Sequence, residues 1–137
     1  MEVVAKLPLS GHIARAKSGL IYLNVDDGYI HEVFPRLAHT GAQKPNYFDY
    51  DTDAIGAHIS IFYPEENISL QDLDYGRIHT FQIENLVTTE VLNNRYYVLL
   101  CHAPSLAILR QRYGLRKKLS FRNYVIDFHM TIAVQTL

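Results

Sequence analysis

The sequence predicts an α+β fold made of two strand–helix–strand units with a β-hairpin between them. Segments rich in β-forming residues alternate with segments in which apolar residues recur at helical spacing. Ten tyrosines and six phenylalanines, with no tryptophan, favour sheet surfaces over a helical bundle. The chain is 137 residues long, 48% hydrophobic and 20% charged. These values are typical of a soluble globular domain, so we expect residues 1–137 to form a single domain.

The first unit begins with a strand at Leu20–Val25. Two aspartates follow it and can cap a helix, whose apolar residues recur at helical spacing between residues 30 and 38. Pro35 is expected to shorten or kink this helix, and Gly41 is a suitable terminator. The unit ends in a strand at Ile55–Tyr63.

The hairpin begins with extended chain at Ile78–Leu92 and returns as a strand at Arg95–His102, with the dipeptide Asn93-Asn94 as its turn. The second unit continues from that returning strand into a helix.

Pro104 is suited to the start of this second helix and Gly114 to its end. A strand at Tyr124–Val134 closes the second unit. The order of the first unit is thereby repeated, and each unit ends in a strand with a histidine near its middle.

Both of these terminal strands carry the same polar–apolar alternation. Each has a histidine and, two residues later, a hydroxyl residue, namely His58 and Ser60 in the first and His129 and Thr131 in the second. Successive side chains in a strand point to opposite faces, so each histidine shares a face with its hydroxyl. The apolar residues between them can pack beneath the sheet.

If the two strands were neighbours, two imidazoles and two hydroxyls would converge on a site of roughly phosphate size. Histidine can act as acid or base near neutral pH, because its unperturbed pKa is about 6.5. Hydroxyls can donate hydrogen bonds to the non-bridging phosphate oxygens. This chemistry needs no metal or other cofactor.

Two other interpretations of the histidines remain open. A single histidine on a strand is more often a surface or core residue, but the same pattern recurs 71 residues later in a matching unit. Metal binding is the other interpretation. It needs a third ligand, which Asp127 could supply from the same face as His129.

Two such motifs, each on a strand and half a domain apart, resemble the 2H phosphoesterase superfamily. The resemblance runs from about Leu20 to Val134, and residues 57–66 and 109–133 are similar to the small bacterial branch of RNA-repair-like proteins. It implies a bilobed α+β fold, with two pseudo-symmetric lobes and mainly antiparallel sheets around a central cleft.

The resemblance also implies a metal-independent phosphodiesterase that acts on RNA ends or small nucleotides. The substrate would be a 2′,3′-cyclic phosphate, a 2′-5′ linkage or a cyclic oligonucleotide. His58 and His129 would be catalytic, with Ser60 and Thr131 as donors to the phosphate oxygens. The alternative is a nucleotide- or RNA-binding module without activity that retains the cleft. An effector that degrades a nucleotide second messenger would use the same chemistry.

Charge is unevenly distributed along the chain. Residues 1–90 carry 6 basic and 13 acidic side chains, whereas residues 91–137 carry 7 basic ones and a single acid. The basic cluster is either a solvated face or a surface for an anionic ligand. The candidate contacts with a nucleic-acid backbone are Arg110, Arg112, Arg116, Lys117, Lys118 and Arg122. The candidates for base stacking include Tyr63 and Tyr124, for which sheet packing is the alternative role.

The sequence contains no apolar run long enough to span a membrane, and its first residues lack the apolar core of a secretory signal. Its one cysteine, Cys101, excludes an intrachain disulfide and reads as a small buried hydrophobe. We therefore expect a cytoplasmic monomer that has no membrane partner.

Overall fold

The computed structural model describes residues 4–45, 55–121 and 124–137. Two α-helices lie at α1 (Gly28–Val33) and α2 (Pro104–Arg112). Short 3₁₀ helices lie at Phe34–Thr40, Pro64–Glu66 and Asp72–Asp74. The strands are β1 (Ser10–Arg15), β2 (Ile21–Asn24), β3 (His58–Phe62), β4 (Ile78–Thr80), β5 (Gln82–Val91), β6 (Asn94–His102), β7 (Leu119–Phe121), β8 (Tyr124–Ile126) and β9 (His129–Thr136).

These strands form two main sheets and a small ribbon. The first sheet has the order β3-β2-β1-β4 and the second the order β5-β6-β9, while β7 and β8 pair with each other. All of these pairings are antiparallel, which confirms the predicted sheet type. Each histidine-bearing strand, β3 or β9, lies at the edge of its own sheet.

One continuous apolar core joins the two sheets and both helices. The residues that alternate with the motif side chains belong to it, since Ile59, Ile61, Met130 and Ile132 are all 0% exposed. The polar members of each motif are thereby turned toward the opposite face of the strand. No helix in the described parts of the chain is both long and apolar enough to cross a membrane.

The first helix is interrupted close to Pro35, as the sequence predicted. The α-helix gives way after Val33 to the 3₁₀ segment that contains Pro35, because proline lacks the N–H that an α-helix would use. The segment ends at Gly41, whose φ of 79° lies in the left-handed region that glycine adopts without strain. The second helix also begins at Pro104 and is followed by Gly114, as predicted.

The hairpin turn lies one residue earlier than the asparagine pair predicted. Val91 is opposite Asn94, so the turn residues are Leu92 and Asn93, and the positive φ of 56° falls on Leu92. The register between β5 and β6 is fixed by pairing along the ten residues of β5, and the turn adopts the conformation that this register requires.

The continuous strand predicted at Tyr124–Val134 is divided in two. Asp127 and Phe128 separate β8 from β9, and β8 pairs with β7 rather than with the second sheet. At the break, Phe128 buries its side chain and its carbonyl accepts a hydrogen bond from the N–H of Cys101 at 2.8 Å. The break therefore places Asp127 directly before the second motif.

Candidate active site

The two motifs meet in one cavity although their strands belong to different sheets. Edge strands β3 and β9 contact each other. Between the sheets lies a cavity of about 420 Å³ whose lining includes His58, Ser60, His129 and Thr131. The structure thus brings together all four residues proposed for catalysis, and their roles remain predictions.

The His58 imidazole is held by the residues just before its strand. Its Nδ1 lies 2.9 Å from the carbonyl oxygen of Gly56. The Asp27 carboxylate accepts a hydrogen bond from the N–H of Ala57 at 2.9 Å, so it holds the residue before β3 instead of capping α1. Of the two aspartates predicted to cap this helix, Asp26 does so, because its carboxylate accepts a hydrogen bond from the N–H of Gly28 at 2.7 Å. A side chain on Gly56 would collide with that carboxylate, which makes glycine necessary there. The ring of Tyr22 packs edge-on at 5.5 Å from that of His58.

The His129 imidazole is held in the same way. Its Nδ1 lies 2.8 Å from the carbonyl oxygen of Asp127, again two residues before the histidine. A carbonyl oxygen can only accept, so Nδ1 carries the proton in both rings. In the neutral form, Nε2 is then the basic nitrogen of each imidazole, which assigns proton transfer to Nε2.

Burial makes both imidazoles hard to protonate. It lowers the pKa of His58 to about 4. The hydrogen bond that Nδ1 donates to the Gly56 carbonyl opposes this shift, and the charge of His129 adds to it. It also lowers the pKa of His129 from its ordinary value of 6.5, while Asp127 opposes this through its backbone carbonyl and its carboxylate. Both rings are therefore neutral at pH 7 before an anion binds.

Asp127 connects the cavity to the basic cluster. Asp127 is one of the residues that line the cavity, and its carboxylate forms an ion pair with Lys118 at 3.0 Å. Both side chains are at least half exposed. The carboxylate considered above as a third metal ligand is therefore paired with a cation. In the described residues, no group of three or more His, Cys, Asp and Glu side chains could hold a metal ion.

Arg110 does not reach the cavity, so its predicted contact with substrate does not fit its position. Its side chain is 2% exposed and forms a two-point ion pair with Glu66, at 2.9 and 2.7 Å. It also donates to the carbonyl oxygens of Ile61 and Arg116, each at 2.7 Å. Its planar guanidinium lies over the ring of Phe62. Arg110 thus ties α2 to β3 and to the segment that precedes β7.

The other candidate contacts with substrate are distributed around the site. Tyr63 lines the cavity. Arg116 and Lys117 are exposed in the segment between α2 and β7 and do not line it. Arg122 lies outside the described residues, and Tyr124 is described only by its backbone in β8.

Sequence reasoning missed the apolar wall of the cavity. This wall is one face of the second sheet, which we call the β5–β6 floor, and it consists of Val87, Thr89, Val91, Tyr96, Val98 and Leu100. The alternation of residues along β5 and β6 was visible in the sequence, but it did not show which face would be covered by a neighbouring element.

Most of the chain is similar to a known protein family. The family model of the Swiss Army Knife 2H phosphoesterase domain matches residues 21–136, which include both motifs and most of the chain. No curated protein and no solved structure matches the chain.

Proposed function

This chain belongs to the 2H phosphoesterase family, as its two motifs suggested, and from this premise we propose that it is a metal-independent phosphodiesterase acting on RNA ends or small nucleotides. The observation that carries the proposal is the pair of imidazoles, one buried and one half-buried, that carry the same proton arrangement in one cavity. Two such groups can perform the two proton transfers that cleavage of a phosphodiester requires. A 2′,3′-cyclic phosphate is the simplest substrate of this class.

In the proposed reaction, Nε2 of one histidine takes a proton from the attacking water as the water oxygen bonds to phosphorus. The ester bond on the opposite side of phosphorus breaks, and its leaving oxygen takes a proton from Nε2 of the other histidine. The second ring must therefore be protonated at the start, and the two rings exchange protonation states during turnover.

We assign the base to His58 and the acid to His129. Burial holds the pKa of His58 at about 4, so this ring is neutral and can accept a proton over most of the pH range. The carboxylate of Asp127 favours the protonated form of His129. A bound phosphodiester adds a negative charge beside both rings and raises the pKa of His129 further.

Ser60 and Thr131 are proposed to donate hydrogen bonds to the non-bridging oxygens. Each lies two residues after its histidine on the same strand face, and both line the cavity. Such donors stabilise the charge that develops on phosphorus-bound oxygen as the nucleophile attacks.

We also propose that the two sheets are the pseudo-symmetric lobes that the family resemblance implies. In each sheet the motif strand lies at an edge, antiparallel to its neighbour. In each sheet the histidine Nδ1 donates a hydrogen bond to the carbonyl two residues before it. The two sheets are therefore alike in local structure as well as in the order of their elements.

Hydrolysis of 2′,3′-cyclic mononucleotides is expected to proceed unchanged in excess chelator, because the proposed site uses imidazoles and hydroxyls only. Product formation measured by chromatography, with and without EDTA, tests this. If EDTA abolished turnover and a divalent ion restored it, Asp127 and the two histidines would instead be interpreted as metal ligands. Binding of these nucleotides without turnover would favour the module that retains the cleft for binding alone.

The pH profile of kcat/KM is expected to be bell-shaped with an acidic optimum. Activity should rise as His58 loses its proton near pH 4, and it should fall as His129 loses its proton below pH 6.5. Asp127→Asn removes the carboxylate that favours protonated His129 and keeps the backbone carbonyl. The descending limb should then move to lower pH while the ascending limb stays.

The control for this variant is Asp72→Asn, which removes an exposed carboxylate that does not line the cavity and should leave both limbs in place. If Asp127→Asn moved the ascending limb instead, the acid and base roles assigned to the two histidines would be reversed.

A further inference from the structure

Proton transfer explains one end of the cavity and leaves the β5–β6 floor without a role. The floor is largely aliphatic, and two of its members, Val91 and Val98, are at least nine-tenths buried. The lining also includes Val125, which is 60% exposed, and Ile126, which is half-buried. An apolar surface of this kind, continuous with a polar site, is typical of a ligand pocket.

The strand register shows how far the floor extends from the histidines. Leu100 is opposite His129, and Val98 is opposite Thr131. Tyr96 lies two residues further along β6, opposite Thr89 of β5. With about 3.3 Å per residue, Tyr96 lies roughly 13 Å along the strand from the level of His129. The floor therefore has room for one nucleoside beside a phosphate held at the histidines.

The chemistry of the floor limits what it can recognise. Valine and leucine side chains offer van der Waals contact and no hydrogen bonds, and the floor's hydroxyls are those of Thr89 and Tyr96. The backbone groups of β6, the central strand, are used in pairing with β5 and β9. Reading the edge of a base requires placed donors and acceptors, whereas the flat face of a base needs only an apolar or aromatic platform.

We propose that the β5–β6 floor holds the nucleobase of the substrate by its face, with Tyr96 as the stacking platform. This inference rests on the proposed function and narrows its substrate class to phosphodiesters that carry one nucleoside of any base beside the reacting phosphate. The base is required for efficient turnover, but its identity is not read.

The test compares the four 2′,3′-cyclic mononucleotides with a cyclic phosphate that has no base, glycerol 1,2-cyclic phosphate. The kcat/KM values of the four nucleotides should agree within about threefold. The base-free substrate should be about 10–100-fold worse, since stacking of a base contributes about 1–3 kcal/mol. Equal kcat/KM for the base-free substrate would overturn the inference, and so would preference for one base by more than about 100-fold.

Variants locate the effect. Val98→Thr keeps a similar volume and places a hydroxyl in the floor, which should lower kcat/KM for the nucleotides by about tenfold more than for the base-free substrate. Tyr96→Phe keeps the ring and should change kcat/KM for the nucleotides little. Tyr96→Ala should lower it toward the value for the base-free substrate. The matched control is Thr88→Val, the reverse exchange at an exposed position on the other face of β5. Equal losses on both kinds of substrate in Val98→Thr would show general damage and overturn the assignment.

Calorimetric binding separates this inference from the proposed function. Nucleoside 3′-monophosphates should bind the wild type more tightly than inorganic phosphate does, and Val98→Thr should reduce that difference. If no substrate is turned over but nucleotides still bind more tightly than inorganic phosphate, the proposed enzyme activity is wrong and the proposed role of the floor in binding the base is supported. Equal affinities for nucleotides and inorganic phosphate would overturn the proposal that the floor binds the base, whether or not the protein is an active enzyme.

Discussion

Replacing His58 or His129 with alanine is expected to lower kcat on a 2′,3′-cyclic phosphate by at least about 10²–10⁴-fold. Each substitution removes a group that moves a proton in the transition state, and such groups typically contribute this much. Because the two rings act on the same step, the double variant should be little worse than either single variant. Steady-state kinetics, with folding checked by circular dichroism, measures the effect.

The hydroxyl variants Ser60→Ala and Thr131→Ala provide the comparison. Each removes a donor to phosphate oxygen, for which losses of about 10²–10³-fold are typical, so their activity should not fall below that of the histidine variants. His102→Ala is the matched control, because His102 is an exposed histidine at the end of β6 and does not line the cavity. Full activity in folded His58→Ala would refute the proposed mechanism.

Arg110→Met is expected to lower the free energy of unfolding by about 3–5 kcal/mol, which is typical when one partner of a buried ion pair is removed. Methionine fills a similar volume but leaves the Glu66 carboxylate, only 15% exposed, without its cation. The carbonyl oxygens of Ile61 and Arg116 lose their donor as well. Denaturant unfolding followed by circular dichroism measures the change.

A double-mutant cycle separates the ion pair from the packing of Arg110. Glu66→Gln keeps an oxygen for its hydrogen bond from the N–H of Tyr63 and removes the charge. Combined with Arg110→Met, it should therefore cost less than the sum of the two single variants. Arg95→Met breaks an ion pair with Glu90 on the exposed hairpin and should leave the unfolding midpoint unchanged. A similarly small effect of Arg110→Met would show that the buried pair does not stabilise the fold.

Much of the fold was predictable because local rules and tertiary structure agree. The proline and glycine signals around both helices mark real boundaries. Strand β1 was missed because its sequence, SGHIAR, has weak β preference and becomes a strand by pairing with β2 and β4 on both sides. Arg110 was misplaced because an arginine in a basic helix looks exposed. Its burial depends on Glu66, which lies 44 residues away in the chain.

The histidine and hydroxyl positions were predictable for a similar reason. Alternation in a strand fixes which residues share a face, and burial of Ile59 and Met130 then decides which face is polar. The carbonyl partners of the two imidazoles were not predictable, because backbone atoms two residues earlier leave no signature in side-chain pattern. The role of Asp127 depended on the break between β8 and β9, which the apolar run across it concealed.

The division of the histidine pair between the edges of two sheets has a consequence for folding kinetics. Each sheet can form its strand pairs without the other sheet. A complete sheet still carries only one of the two imidazoles, because β3 belongs to the first sheet and β9 to the second. The pair forms only when β3 and β9 meet, a contact between segments 71 residues apart in the chain, and such long-range contacts carry a large loop-closure entropy. Regain of turnover during refolding therefore reports the docking of the sheets, whereas far-ultraviolet circular dichroism reports the formation of their strands.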